Sequence, residues 1–452
     1  MSTDICRAET GLVTAEARIA WDCMVRAFLA HSAETPVHLG KVLEAEPDAA
    51  LPLAAKGLFC LLLGRREMVA AAEQSARDAR QAAQQHGAPL RARAWTDALL
   101  AWLKGSPGGA IFHLETLLAQ NPADTMTLKL SHAVRFVIGD AAGMRRSVAR
   151  ALPAHDANHP LTGYALGCHA FALEETGDYA AAERAGLLGL DYASDDAWGL
   201  HAVAHVYDMT HRPGDGLSLI ENNLSAWTHC NNFRFHVWWH KALLHLDRGE
   251  LDAALALYDT KIRDEKTDDY RDISNATSLL VRLELEGMDV GARWHELADL
   301  SEARTEDGCL VFADLHYMLA LTGDARPDAA RRLAARMVAN GSAATEMTRI
   351  HAHPGKAAAE GLADFGEGRY VDAFAKLQAA RAHMQTIGGS HAQRDVFERI
   401  TIDAGLRAGS YAAVEKILAE RTTLRAGTPD TFAESRTEQI EAAKRDSLYA
   451  AQ

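Results

Sequence analysis

Cysteine is sparse and unpatterned in this chain. Its six cysteines (Cys6, Cys23, Cys60, Cys168, Cys230 and Cys309) include no Cys-x-x-Cys pair. In a chain of this length that excludes a disulfide framework and predicts a reduced compartment. Proline is also scarce, at 12 of 452 residues, while alanine is abundant, which favours helix over strand. Basic residues are outnumbered 47 to 61, for a formal charge of −14. Phosphate backbones and anionic membranes both demand a basic face, so neither nucleic acid nor a membrane surface is an expected partner. The longest apolar run, Gly57 to Leu63, falls far short of the roughly 18 residues that suggest a bilayer span. The start, MSTDICRAETG, lacks a basic stretch followed by an apolar core, so no signal peptide is expected. These absences together predict a cytoplasmic protein. The chain also shows no alternating strand pattern and no GxGxxG or GxxxxGK[ST] loop, which disfavours nucleotide folds.

What the chain does have is a repeat. Turns built on Gly plus a small or charged residue begin at Gly64, Gly105, Gly139, Gly177, Gly214, Gly249, Gly287, Gly323, Gly368 and Gly409. Successive first glycines lie 34 to 45 residues apart, a period that marks a solenoid of helical hairpins. GDYAAAERA (177–185), GELDAALAL (249–257), GRYVDAFAKL (368–377) and GSYAAVEKIL (409–418) follow the tetratricopeptide pattern. Each places an aromatic or Leu two after the Gly, then small residues where two helices must approach closely. The reading is an all-α, tetratricopeptide-like helical-hairpin solenoid with a concave inner pocket. Residues 1–45 form leading helices, 46–425 a continuous array, and 426–452 a C-terminal capping helix. No Ser/Gly-rich or Pro-rich linker divides the array.

One stretch stands apart. Between Trp198 and Asp259 lie seven of the 21 histidines and four of the eight tryptophans. His201 and His205 are four apart, as are His236 and His240, so each pair shares a helix face. The two pairs are 35 residues apart, one repeat, which places them on equivalent helices of adjacent hairpins. Packed helices are about 8–10 Å apart, so all four imidazoles can line one wall. Asp208 follows on the His205 face, where a carboxylate could orient an imidazole or act as a base. Trp198 precedes His201 by three, and Trp239 adjoins His240.

Four readings of this constellation follow. His201, His205, His236 and His240 could ligate a divalent metal, although the Glu of HExxH is missing. His205 or His240 with Asp208 could perform metal-free acid–base chemistry; no GxSxG elbow is present. The His and Trp side chains could bind a small polar or aromatic ligand, or a peptide end. Or the histidines could simply fill positions between packed helices.

WGLHAVAHVYDM, FRFHVWWHKALLHLDRGELDAALALYD, DISNATSLLVRLELEGMDVGARW, FADLHYMLALTGD and GGSHAQRDVFERITIDAGL (388–406) resemble the tetratricopeptide repeat protein 38 family in order and spacing. The resemblance covers nearly the whole chain. Where that family often has Asn after the first His of its second His pair, this chain has Val237. The resemblance implies an α-helical repeat fold and a soluble intracellular protein, but no particular reaction. It adds candidates by position: Asp272, Asn275 and Arg282; Asp314 and His316; and Gln393, Arg394 and Asp395 after a Gly-Gly-Ser turn that Ser390 can cap. The site expectation is therefore His205, His240 and Asp208 for chemistry. His201, His236, Trp198, Trp239, Asp272, Arg282, His316 and Arg394 are expected to bind ligand. The expected function is ligand binding in the concave pocket. The alternatives are a hydrolase or lyase and a protein–protein scaffold. Solenoid ends need capping, which the terminal helices or a homodimer would supply.

Overall fold

The structure, a computed structural model, describes residues 3–341 and 344–450, the side chains of 447–450 excepted. Among the described residues it is all helix, with no named strand; two isolated bridges are the only β pairing. Local chemistry starts many helices where they begin. Asp124 accepts from the Thr127 amide, Asp140 from Gly143 and Ser106 from Gly109. Each satisfies one of the amides left free in a first helical turn. Ser390 forms a full capping box with Gln393 at the start of His391–Arg407.

The helices come in antiparallel pairs that stack side by side. The second helix of a pair is thin where it meets the first. In Tyr179–Tyr192 the buried residues are Ala182, Ala185, Gly186 and Gly189. A Cβ on Gly163 of the first helix would stand 2.7 Å from the Gly189 carbonyl oxygen, so the two backbones approach too closely for a larger residue there. The first helices form the interior. Every residue of Ala197–Met209 is buried, as are 11 of the 17 in His391–Arg407 and 13 of the 16 in Tyr270–Leu285.

Most turns end a helix on a left-handed glycine, among them Gly64, Gly105, Gly139 and Gly249. Two of the turns read from the sequence differ. Gly214 lies inside Pro213–Asn222 and Gly323 ends Val311–Gly323; the left-handed residues there are His211 and Ala325. Both turns place Pro at the first position of the next helix, Pro213 and Pro327, which starts that helix without glycine.

The array curls back on itself. Arg65 reaches Asp268 at 2.6 Å, Arg304 reaches Glu67 at 2.8 Å and Ser106 reaches Glu346 at 2.7 Å. Tyr179 donates to the Leu424 carbonyl at 2.6 Å. Segments more than 200 residues apart therefore enclose the buried first helices. No helix among the described residues is long and apolar enough to cross a membrane. All six cysteines are free.

Candidate metal centre

His201 and His205 sit on Ala197–Met209; His236 and His240 sit on Phe233–Asp247, the first helix of the next pair. Because i and i+4 share a face, and the two helices pack together, all four rings turn toward one point. Their Nε2 atoms form a closed ring. His201 to His205 is 2.9 Å, His205 to His240 is 3.1 Å, His240 to His236 is 3.2 Å and His236 to His201 is 3.1 Å. A square of such edges places its centre about 2.2 Å from each nitrogen, and a tetrahedron about 1.9 Å. These values bracket the roughly 2.0–2.1 Å of a zinc–imidazole bond.

The four rings are sealed from solvent, with relative exposures of 2%, 0%, 8% and 2% in chain order. They do not line an open concave wall. Phe171 stacks on His201 with centroids 5.6 Å apart, and Trp239 stacks on His236 at 5.2 Å. Trp198 lies 5.1 Å from His201. Both tryptophans expected at the site are therefore walls of it. Burial, with neighbouring imidazoles, holds His201 and His240 well below the ordinary histidine range. Burial takes His236 to about 3, against the opposing hydrogen bond from Asn275. These rings are neutral, the form that offers a lone pair to a metal.

The outer nitrogens set the direction of the inner ones. Nδ1–H of His236 donates to Asn275 Oδ1 at 2.8 Å, leaving Nε2 as the lone-pair nitrogen. Nδ1 of His205 lies 3.3 Å from Glu174 Oε2 and 3.5 Å from His391 Nε2. Carboxylates and amides in these places orient ligating histidines. His391 also contacts Glu174 Oε1 directly, and its backbone amide donates to Glu175 at 2.7 Å. Burial raises the Glu174 pKa, but His391 and His205 beside it bring it down to about 2. Burial lowers His391, and Glu174 and Glu175 more than offset this, taking it up to about 9.

The remaining expected residues lie elsewhere. The Asp208 carboxylate does not orient His205. Arg425 takes it at 2.9 Å, with Asp247 of the neighbouring helix 3.2 Å from the same guanidinium. Asp208 is one turn beyond His205, and that turn carries it past the centre to the closing C-terminal segment. Asp272 is held by Thr267 and Asn232, one turn before the Asn275 that meets His236. His316 donates to the Phe312 carbonyl at 2.7 Å and packs against Phe397. Arg282 donates to the carbonyls of Ser278 and Ala392 and lies over Trp239, 5.5 Å from its centroid. Arg394 clamps the Gly388–Gly389 carbonyls and reaches Glu175 at 3.3 Å.

Sequence reading missed Glu174, Glu175 and His391. Glu174 and Glu175 end the first helix of the preceding pair. His391 adjoins the capping Ser390, 186 residues from His205. Only the Gly-Gly-Ser-His turn marked it. Beside His391 opens a cavity of about 200 Å³ whose wall includes Asp208, Asp247, Asp395 and Glu398. Six guanidiniums face these four carboxylates: Arg282, Arg381, Arg394, Arg399, Arg421 and Arg425. Burial, with Asp208 alongside, pushes Asp247 up to about 8. Asp430 pairs with Arg399, Arg421 and Arg425, Glu420 with Arg381, and Glu175 with Arg394. No protein-family model matches the chain.

Proposed function

We propose that the chain is a metalloprotein that holds a first-row transition ion among His201, His205, His236 and His240. In the same reading it takes a small anionic ligand into the adjoining arginine-lined cavity. The convergence of four Nε2 atoms at metal-ligand spacing carries the reading. A set of four imidazoles suits zinc, copper, iron or nickel over the hard oxygen-seeking cations. The outer partners, Asn275 and Glu174, are of the kind that fix the direction of ligating histidines.

The six guanidiniums on the cavity wall favour a carboxylate or phosphate over an uncharged or aromatic ligand. His391 lies between that cavity and His205, so a bound anion would sit one side chain from the centre. A hydrolase or lyase fits this arrangement better than a scaffold, since the inner helix faces are filled by side chains instead of forming an open groove. We also infer that the helix pairs are of tetratricopeptide type, wound as a superhelix. Kinship with the tetratricopeptide repeat protein 38 family belongs to the same reading; the segments that resemble it supply all four histidines.

Elemental analysis of the full chain beside His240→Ala, both loaded with zinc or copper after chelation, tests the proposal. The expected result is one tightly held ion fewer per chain in the variant, with helix content unchanged. Equal metal content in the two proteins would overturn it.

A further inference from the structure

His205 presents two nitrogens to two different sets of ligands. Nε2 belongs to the four-histidine ring. Nδ1 faces the other way, toward Glu174, Glu175 and His391. One donor atom from each of these four residues falls within 4.8 Å of the rest. The geometry points to a second cation site, formed by Glu174, Glu175, His391 and Nδ1 of His205, with His205 bridging the two ions. The inference rests on the four-histidine centre proposed above.

Several observations support it. Nδ1 of His205 is 3.3 Å from Glu174 Oε2 and 3.5 Å from His391 Nε2, and His391 Nε2 is 3.7 Å from Glu175 Oε1. Tetrahedral ligands at zinc-like bond lengths stand about 3.3–3.4 Å apart, so these spacings already approximate a coordination shell. The Glu174 and Glu175 side chains are 0% and 3% exposed, so two adjacent carboxylates are buried together. Such a pair needs concentrated positive charge to offset its desolvation. Glu174 Oε2 has only the 3.3 Å approach of His205 Nδ1 and no well-aligned hydrogen bond. A buried carboxylate oxygen left in that state is costly, and a cation would satisfy it. Three helices from distant parts of the chain deliver the set: Thr162–Glu174 with the residue after it, Ala197–Met209, and His391–Arg407.

The chemical class follows from the donors. Two carboxylates with two imidazole nitrogens suit zinc, manganese or iron, and copper will serve as a probe. Bridging requires His205 as imidazolate. Its Nδ1 proton, and the proton shared by His391 and Glu174, pass to solvent as the ion enters; no electron is transferred. The second site also differs from the first in access. His391 lines the arginine cavity, so a small molecule there could reach this ion but not the sealed ring.

The test is metal stoichiometry on the full chain, wild type beside His391→Gln and Glu175→Gln, after chelation and reloading with zinc chloride or copper chloride. Gln at 391 keeps a donor for Glu174 but removes the ligand. Wild type is expected to hold about two ions per chain and each variant about one. With copper, the bridged pair in wild type is expected to lose most of its integrated electron paramagnetic resonance signal through coupling. The variants should restore the signal of one isolated nitrogen-bound ion. One ion in wild type, lost in His240→Ala but untouched by His391→Gln, overturns the second site and leaves the first standing. No ion in any of these proteins overturns both. If His391→Gln does not fold, Glu175→Gln decides by the same readout.

Discussion

Two buried polar clusters lie one to two helical turns apart on the same two helices. His201 and His205 are followed by Asp208 on one helix; His236 and His240 are followed by Asp247 on the next. Burial holds His201 and His240 of the first cluster well below the ordinary histidine range, and its members point at one another. The second is ionic and its members point at Arg425, 178 to 217 residues away. That guanidinium also approaches Asp430, which pairs with Arg399 and Arg421. The contrast separates two uses of buried polarity. Opposite charges that neutralise one another hold the end of the chain against its middle. Like groups that crowd their lone pairs together have no such internal partner, and that crowding becomes favourable once a cation sits among them.

The sharpest way to break this comparison is to cut each cluster once. His205→Ala should empty the histidine ring of metal, with elemental analysis falling from at least one ion per chain to a trace, while the fold persists. Arg425→Ala should do the opposite. It strands Asp208 and Asp247 in the interior and should cost about 3–5 kcal/mol in urea unfolding, with metal content retained. If Arg425→Ala lost the metal and His205→Ala lost the fold, the division of labour would be wrong.

A gentler cut tests orientation. Asn275→Ala frees the His236 ring and should weaken metal affinity by about 10–100-fold in competition with a chromophoric chelator. A structural amide would leave affinity unchanged. The smallest effect is acid sensitivity at a histidine outside both clusters. Burial lowers His316 to about 3, despite its bond to the Phe312 carbonyl. The unfolded chain protonates this ring near pH 6.5 and the native chain does not. Stability should therefore fall as pH drops from about 6.5 toward 3, by at most about 1.4 kcal/mol per pH unit for this group. His316→Gln should lack that increment in urea midpoints measured from pH 7 to pH 4. Above pH 7 the variant's pH slope should match wild type.

The histidine ring was legible because it is local in the repeat. Spacings of four and 35 are enough to place two pairs on one wall once hairpins are inferred. Asp208 misled because its spacing from His205 is equally good. Spacing along one helix cannot say that Arg425, from the far end of the chain, takes the carboxylate first. The turns at Gly214 and Gly323 misled for a related reason. Glycine marks where a left-handed residue is easy, but His211 and Ala325 hold that conformation without it.

What the sequence determined by itself is what depends on neighbours one turn or one repeat away. Helix content, hairpin period, N-caps and the pairing of imidazoles all arise from contacts of that range. Only the tertiary structure decided which distant groups complete the site. Glu174 and His391 meet at His205 because the array curls until its last helices touch its middle, and the cavity of guanidiniums forms at the same closure. Closure depends on small rotations accumulated over many helix pairs. No single repeat encodes that sum, so the partners it brings together cannot be read from any one of them.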